Sequence, residues 1–170
     1  ADGEILIKGD NLMKGYLGKE KETKDKIKNN WLYTGDIGEI DKDNHLIITD
    51  RKKDIIVTTG GDNIAPQKIE NMFTSNDLMS QVIVFGDNKP FLVALIFINN
   101  NYSKKNRINN EIDKYLKKIN EKLSPTEKIR KYMLINEQLD QKSGFLTPTM
   151  KIKRKKVYEK YKKDIEGFYN

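Results

Sequence analysis

The sequence predicts an α+β fold, and three observations lead there. Period-two strand patterns and helical stripes of period 3.6 both occur along the 170 residues. They do not alternate in the steady strand–helix–strand rhythm of a wholly parallel sheet. The strand patterns instead come in pairs across short turns, which favours antiparallel hairpins. The expected architecture is a small domain with a short, mainly antiparallel sheet and flanking helices, preceded by further strands.

The first strand signal is EILIKG, from Glu4. Lys19 to Asn30 (KEKETKDKIKNN) is charged around a single apolar residue, so it is a solvated loop or one short surface helix. From Trp31 strand character returns. GEI and HLIIT flank Asp41-Lys42-Asp43-Asn44, whose residue types suit a hairpin turn with Asn44 in the left-handed conformation. DIIVTT then runs into a break at Gly60-Gly61. Pro66 suits the first position of a short helix with Ile69, Met72 and Phe73 on its apolar face. Ser80 to Phe85 and Phe91 to Ile98 make a second strand pair across a turn from Gly86 to Pro90. Ile108, Ile112, Tyr115, Leu116, Ile119 and Leu123 mark an amphipathic helix ending before Ser124-Pro125. A shorter helix is predicted over Glu127 to Lys131, then a strand at Met133 to Ile135. Beyond a polar loop with Gly144 and Pro148, Val157, Tyr161, Ile165 and Phe168 define the packed side of a last, lysine-rich helix.

Composition narrows the chemistry. The absence of cysteine excludes disulfides and thiolate metal sites, and a single histidine, His45, leaves no imidazole cluster for zinc. A reducing compartment is expected. The longest apolar run, FLVALIFI at 91–98, falls far short of the roughly 20 residues that span a bilayer. Asn101-Tyr102-Ser103 matches the glycosylation pattern, one short enough to recur by chance. The net charge of +7 points to phosphate-bearing partners. Lys, Asn and Ile, all with A/T-rich codons, are abundant together, so part of the lysine excess is compositional.

Five stretches carry the functional reading: GEILIKGDNLMKGY (3–16), WLYTGD (31–36) with DIGEID after it, TDRKKDIIVTTGGDNIAPQKIE (49–70) and LTPTMKIKRKK (146–156). In this order and spacing the sequence resembles the adenylate-forming acyl-CoA synthetases, with wording around Gly60 and Lys151 most like the long-chain fatty acid members. The resemblance implies an enzyme that joins a carboxylate to ATP, releases pyrophosphate, and lets the thiol of coenzyme A displace AMP. It implies a large N-terminal domain and a small mobile C-terminal domain that rotates between the half-reactions. Residues 1–52 match the end of the large domain and residues 53–170 the whole small one. The chain opens on Ala-Asp-Gly-Glu and is expected to be part of something longer, inactive by itself. The family's phosphate loop and magnesium site would lie upstream, so the cofactors ATP/AMP, coenzyme A and Mg2+ are implied for the full protein.

Residue by residue, Asp36 matches the carboxylate that accepts the two ribose hydroxyls of ATP, and Arg51 an arginine reaching the ribose or nearby phosphate. Lys53 matches the hinge, so Asp50 to Asp54 joins two domains with a nucleotide contact on one side and a pivot on the other. Gly60 and Gly61 match a segment lining the coenzyme A tunnel, where absent side chains let a ligand pass close to backbone. Lys151 matches the lysine that enters the site for adenylation, where an ammonium offsets the repulsion between carboxylate and α-phosphate. Met150 and Asn44-His45 stand where glycine is common in the family, and His45 is read as surface structure. No metal ligand is assigned in this chain.

The rival function is a basic binding module. Lys151, Lys153, Arg154, Lys155, Lys156, Lys160, Lys162 and Lys163 fall within thirteen residues and would suit nucleic acid or an acidic membrane. Against nucleic acid, Tyr158, Tyr161, Phe168 and Tyr169 fall near the helix stripe expected to be packed. The expected partners are therefore fatty acid, ATP and coenzyme A, in the cytoplasm, with peripheral membrane contact left open and no specific nucleic acid. Exposed strand edges in residues 1–52 are expected to promote self-association.

Overall fold

The computed structural model describes residues 2–99, 105–141 and 143–170, the side chains of 105–107 excepted. The glycosylation pattern at 101–103 lies outside the described residues. The chain divides into two compact units, Ala1–Ile55 and Ile56–Asn170.

The first unit is built on one long strand. Its elements are β1 (Glu4–Ile7), α1 (Glu20–Lys26), β2 (Ile27–Lys28), β3 (Trp31–Ile40) and β4 (Leu46–Arg51), followed by a 3-10 turn at Lys52–Asp54. All pairing is antiparallel: β1 runs along one edge of β3, and β2 then β4 along the other, so that Ile37 faces both Glu4 and Asp50. Two tight turns set this register. Asn44 takes φ +62°, as its residue type predicts, and Asp41 Oδ1 accepts the N–H groups of Asp43 and His45 at 2.8 Å each. The second turn goes beyond what the sequence pattern predicted: Asn29 and Asn30, both at positive φ, close a two-residue hairpin between β2 and β3. The charged stretch before it forms α1, with Glu20 and Glu22 in its first turn and Lys24 and Lys26 in its last, the arrangement a helix dipole favours.

The second unit holds the core. Its elements are β5 (Ile56–Val57), β6 (Asn63–Ile64), α2 (Pro66–Asn71), β7 (Met79–Phe85), β8 (Leu92–Ile98), α3 (Lys105–Asn120), β9 (Ile129–Ile135) and α4 (Arg154–Gly167). The sheet runs β7-β8-β9, with β8 central and every residue of its LVALIFI run buried. Alternation sorts those side chains to two faces. Leu92, Ala94 and Ile96 pack with Ile69 of α2 and Ile112, Leu116 and Ile119 of α3. Val93, Leu95 and Phe97 pack with Val157, Tyr161 and Ile165 of α4. Each large side chain taken fully out of water contributes about 1.5–3 kcal/mol, so this helix–sheet–helix sandwich carries the stability. Tyr158, Phe168 and Tyr169, partly buried, pack against this second cluster, as expected from their place near the helical stripe.

β8 and β9 are parallel, joined by α3, which is one strand–helix–strand crossover within the mainly antiparallel α+β fold that the sequence predicts. Two expectations need correction. DIIVTT yields only the two-residue β5, because Thr58 is already taken into a turn with Asp62. No helix covers Glu127 to Lys131. That segment enters β9, where Ile129 pairs with Leu92 and lies buried in the core. No described helix is long and apolar enough to cross a membrane.

Candidate active site

In the first unit, the Thr34-Gly35-Asp36 turn sits within β3 and is fixed by its neighbours. Thr34 Oγ1 donates to the carbonyl of Ile5 at 2.8 Å and accepts the N–H of Asp36 at 3.0 Å. The Gly35 N–H donates to Glu4 Oε1 at 3.0 Å, and Gly35 has φ +77°, a conformation that a side chain would strain. Asp36 and Arg51 are direct partners across β3 and β4, and Arg51 Nε donates to Asp36 Oδ1 at 3.0 Å. The Arg51 guanidinium therefore meets Asp36, while its backbone N–H goes to Asp50, at 2.6 Å. Both side chains of the Asp36–Arg51 pair remain partly exposed. A carboxylate has about four acceptor sites over two oxygens, so one arginine bond leaves capacity for a diol.

Beside this pair opens a cleft of about 520 Å3, lined by Tyr33, Thr34 and Gly35. Its charged lining is Lys26, Lys28, Arg51, Lys52 and Lys53 against Glu4 and Asp25, an excess of cations that suits a polyphosphate. Lys28 lies over the Tyr33 ring at 5.4 Å. Glu4 was not singled out from the sequence, although it stands in the GEILI stretch. Its carboxylate holds Gly35 through one oxygen and Lys52 Nζ through the other, at 2.8 Å, and Lys52 also meets Asp2 at 2.6 Å. These hydrogen bonds, to Asp2 first and then to Glu4, push the Lys52 ammonium well above the ordinary lysine range and draw the Asp2 carboxyl down. Lys53 follows in the exposed 3-10 turn.

Gly60, Gly61 and Lys151 belong to the second unit. The two glycines turn the chain between β5 and β6, where Gly61 N–H donates to the Thr58 carbonyl at 3.0 Å and Thr58 N–H to the Asp62 carbonyl at 3.1 Å. Gly61 has φ +84°, and a Cβ there would meet nothing within 4 Å, so backbone conformation is what requires glycine while the surrounding space stays open. A Cβ on Gly60 would come within 3.2 Å of Asp62 Oδ2.

Lys151 is exposed at the end of a tight loop. Its carbonyl accepts the Thr147 N–H at 2.8 Å, and its own N–H donates to Thr147 Oγ1 at 2.9 Å. Met150 has φ +62°, in the left-handed region that favours glycine. Asn44 in the β3–β4 turn likewise carries a side chain in a left-handed position. His45 is exposed and meets Asp41 of its own turn at 3.4 Å. With Asp41 and Asp43 it makes the one cluster of candidate metal ligands among the described residues, but Asp41 is engaged in closing the turn.

Comparison with known proteins finds relatives along nearly the whole chain. Residues 53–170 match the family described as AMP-binding enzyme C-terminal domain. The long-chain-fatty-acid–CoA ligase FadD15 of Mycobacterium tuberculosis is 39% identical over 188 residues, covering 99% of this chain and 31% of that protein. Long-chain-fatty-acid–CoA ligase 6 of Rattus norvegicus is 34% identical over 190 residues, covering 99% of this chain and 27% of its own length. The chain thus spans less than a third of these relatives. Among solved structures, the adenylation domain of a carboxylate reductase from Mycobacterium chelonae superposes with a TM-score of 0.86 at 24% identity, over 98% of this chain and 27% of that one. O-succinylbenzoate coenzyme A synthetase of Bacillus subtilis, in complex with ATP and magnesium ion, gives 0.67 at 27% identity, over 89% and 29%. The chain belongs to the AMP-binding, adenylate-forming enzyme family, whose C-terminal domain pattern it carries over residues 53–170.

Proposed function

We propose that this chain is the C-terminal part of a fatty acid–CoA ligase, long-chain by its relatives, which forms an acyl-adenylate from ATP and then the coenzyme A thioester. The observation that carries the reading is the Asp36–Arg51 pair beside a cation-lined cleft. Asp36 accepts the ribose diol, and Arg51 both orients that carboxylate and faces phosphate. Residues 1–52 close the large domain and residues 53–170 form a small domain that rotates about Lys53. In one orientation Lys151 serves adenylation; in the other, the Gly60-Gly61 turn lines the passage for the pantetheine arm. Magnesium, which the ATP chemistry uses, is proposed to bind upstream of these residues. Asp41, Asp43 and His45 do not fit that role, since they belong to a hairpin turn stabilised by its own backbone.

The full-length protein should release pyrophosphate from ATP in a fatty-acid-dependent manner and form thioester when coenzyme A is added. The 170 residues alone should form none, since they correspond to less than a third of the length of the relatives. A full-length protein that binds no ATP, or acyl-CoA made by the 170 residues alone, would refute the proposal. Asp36→Asn keeps the size of the side chain but loses the charge that strengthens its hydrogen bonds. A charge-assisted bond contributes about 1.5 kcal/mol or more, so the KM for ATP should rise about tenfold while the KM for fatty acid holds. Equal rises in both would count against a ribose contact.

A further inference from the structure

We infer that Glu70 and Arg154 form a positioning pair for Lys151: they fix the start of α4 against α2 and β7, and through it the loop that presents the ammonium. The inference rests on the adenylation role proposed for Lys151.

Glu70, on α2, is only 4% exposed, a burial that a carboxylate rarely has unless it is paired. Arg154 meets it in a two-pronged bond, Nη1 to Oε1 and Nη2 to Oε2, each at 2.8 Å. Oε1 also accepts the N–H of Val84 at 2.7 Å, and Arg154 Nη1 donates to the Val84 carbonyl at 2.8 Å. The guanidinium lies over the Phe85 ring at 5.9 Å. One helix, one core strand and the first residue of α4 therefore meet at a single node with two fixed planes.

Stability alone does not account for such a node. A buried ion pair costs much of its attraction in desolvation, and well-packed apolar residues often serve as well. What the fork supplies is direction, and the direction is passed along a short, pinned path. Lys151 precedes Arg154 by three residues. Between them the Lys153 N–H donates to the Phe145 carbonyl at 2.8 Å, and Ile152 bridges Leu146, which is buried. Met150, in its left-handed conformation, donates its N–H to the Thr147 carbonyl at 2.9 Å. A non-glycine residue persists there only where its surroundings over-determine it. The loop is thus held at Leu146 on one side and at Arg154 on the other, with Lys151 exposed between. Loosening Arg154 frees one of the two anchors, and a small displacement of a charge from its productive place can slow a reaction by up to about 10²-fold.

The test is a double-mutant cycle in the full-length enzyme, with the half-reactions followed separately. Glu70→Gln has the same shape and can still accept the Val84 N–H, but its amide opposes one prong of the fork. We expect adenylation to fall about tenfold in kcat, with the KM for ATP unchanged and thioester formation from supplied acyl-adenylate at the wild-type rate. In a Lys151→Ala background the same substitution should cause no further loss of adenylation, because there is no ammonium left to misplace. A defect confined to folding would lower both half-reactions and persist in that background. Either of those results, or adenylation unaffected by Glu70→Gln, overturns the positioning role. Should Glu70→Gln fail to accumulate, Arg154→Lys keeps one bond and should give a smaller loss with the same pattern. A Lys151→Ala enzyme that adenylates normally would refute the Lys151 assignment itself; a slow one in which Glu70→Gln adds its full effect refutes only the pair.

Discussion

Lys151→Ala in the full-length protein is expected to slow acyl-adenylate formation by about 10²-fold or more, the usual order for removing one well-placed electrostatic group. In the proposed reaction a carboxylate attacks the α-phosphate of ATP, so two anions must come together. A compact ammonium between them lowers that repulsion, and inside a partly dehydrated site a unit charge at about 4 Å contributes on the order of 4 kcal/mol. The loop geometry suits this role, because backbone bonds to Thr147 fix the Cα of Lys151 while the side chain reaches outward. The same variant should convert supplied acyl-adenylate and coenzyme A to thioester at near the normal rate, because the proposed rotation carries the lysine away before the thiol attacks. Pyrophosphate release and thioester formation report the two steps separately. Equal slowing of both, or of neither, would remove Lys151 from the first half-reaction.

Much of the second unit was legible because its signals are local and strong. The LVALIFI run can only be a buried strand or helix, and its length and flanking turns settle it as β8. The α4 stripe of Val157, Tyr161 and Ile165 emerges buried as its spacing predicts. The error at Glu127 has a physical cause. Ser124-Pro125-Thr126-Glu127 has the composition of a helix start, and Glu127 Oε2 does accept the Ser124 N–H at 3.1 Å and hydroxyl at 2.7 Å. The local cap forms, but pairing with β8 takes the chain onward as a strand. The Glu70–Arg154 pair was hidden for a different reason. Its members lie 84 residues apart, and in sequence each looks like an ordinary charged residue on a helix. The Asp36–Arg51 contact was readable only as two separate motif matches, since register, which sequence does not carry, sets them opposite one another.

Lys53→Pro should lower overall turnover by about two orders of magnitude while sparing at least one half-reaction assayed alone. Lys53 occupies the middle of the 3-10 turn at Lys52–Asp54, directly after the Lys52 contact with Asp2 and Glu4. Proline fixes its own φ near −65° and disfavours the helical region for the residue before it, here Lys52. The turn would therefore be biased away from its present conformation at a cost of roughly 3 kcal/mol, about two decades in an equilibrium between linker states. A pivot that visits two states in every catalytic cycle is slowed whichever state is disfavoured, whereas an ordinary exposed lysine would tolerate the change with little effect on rate. The discriminating measurement compares steady-state acyl-CoA production with each half-reaction in single turnover. If the steady state falls while one single-turnover rate is retained, alternation is the step affected. If turnover stays within about twofold of wild type, Lys53 is not the hinge.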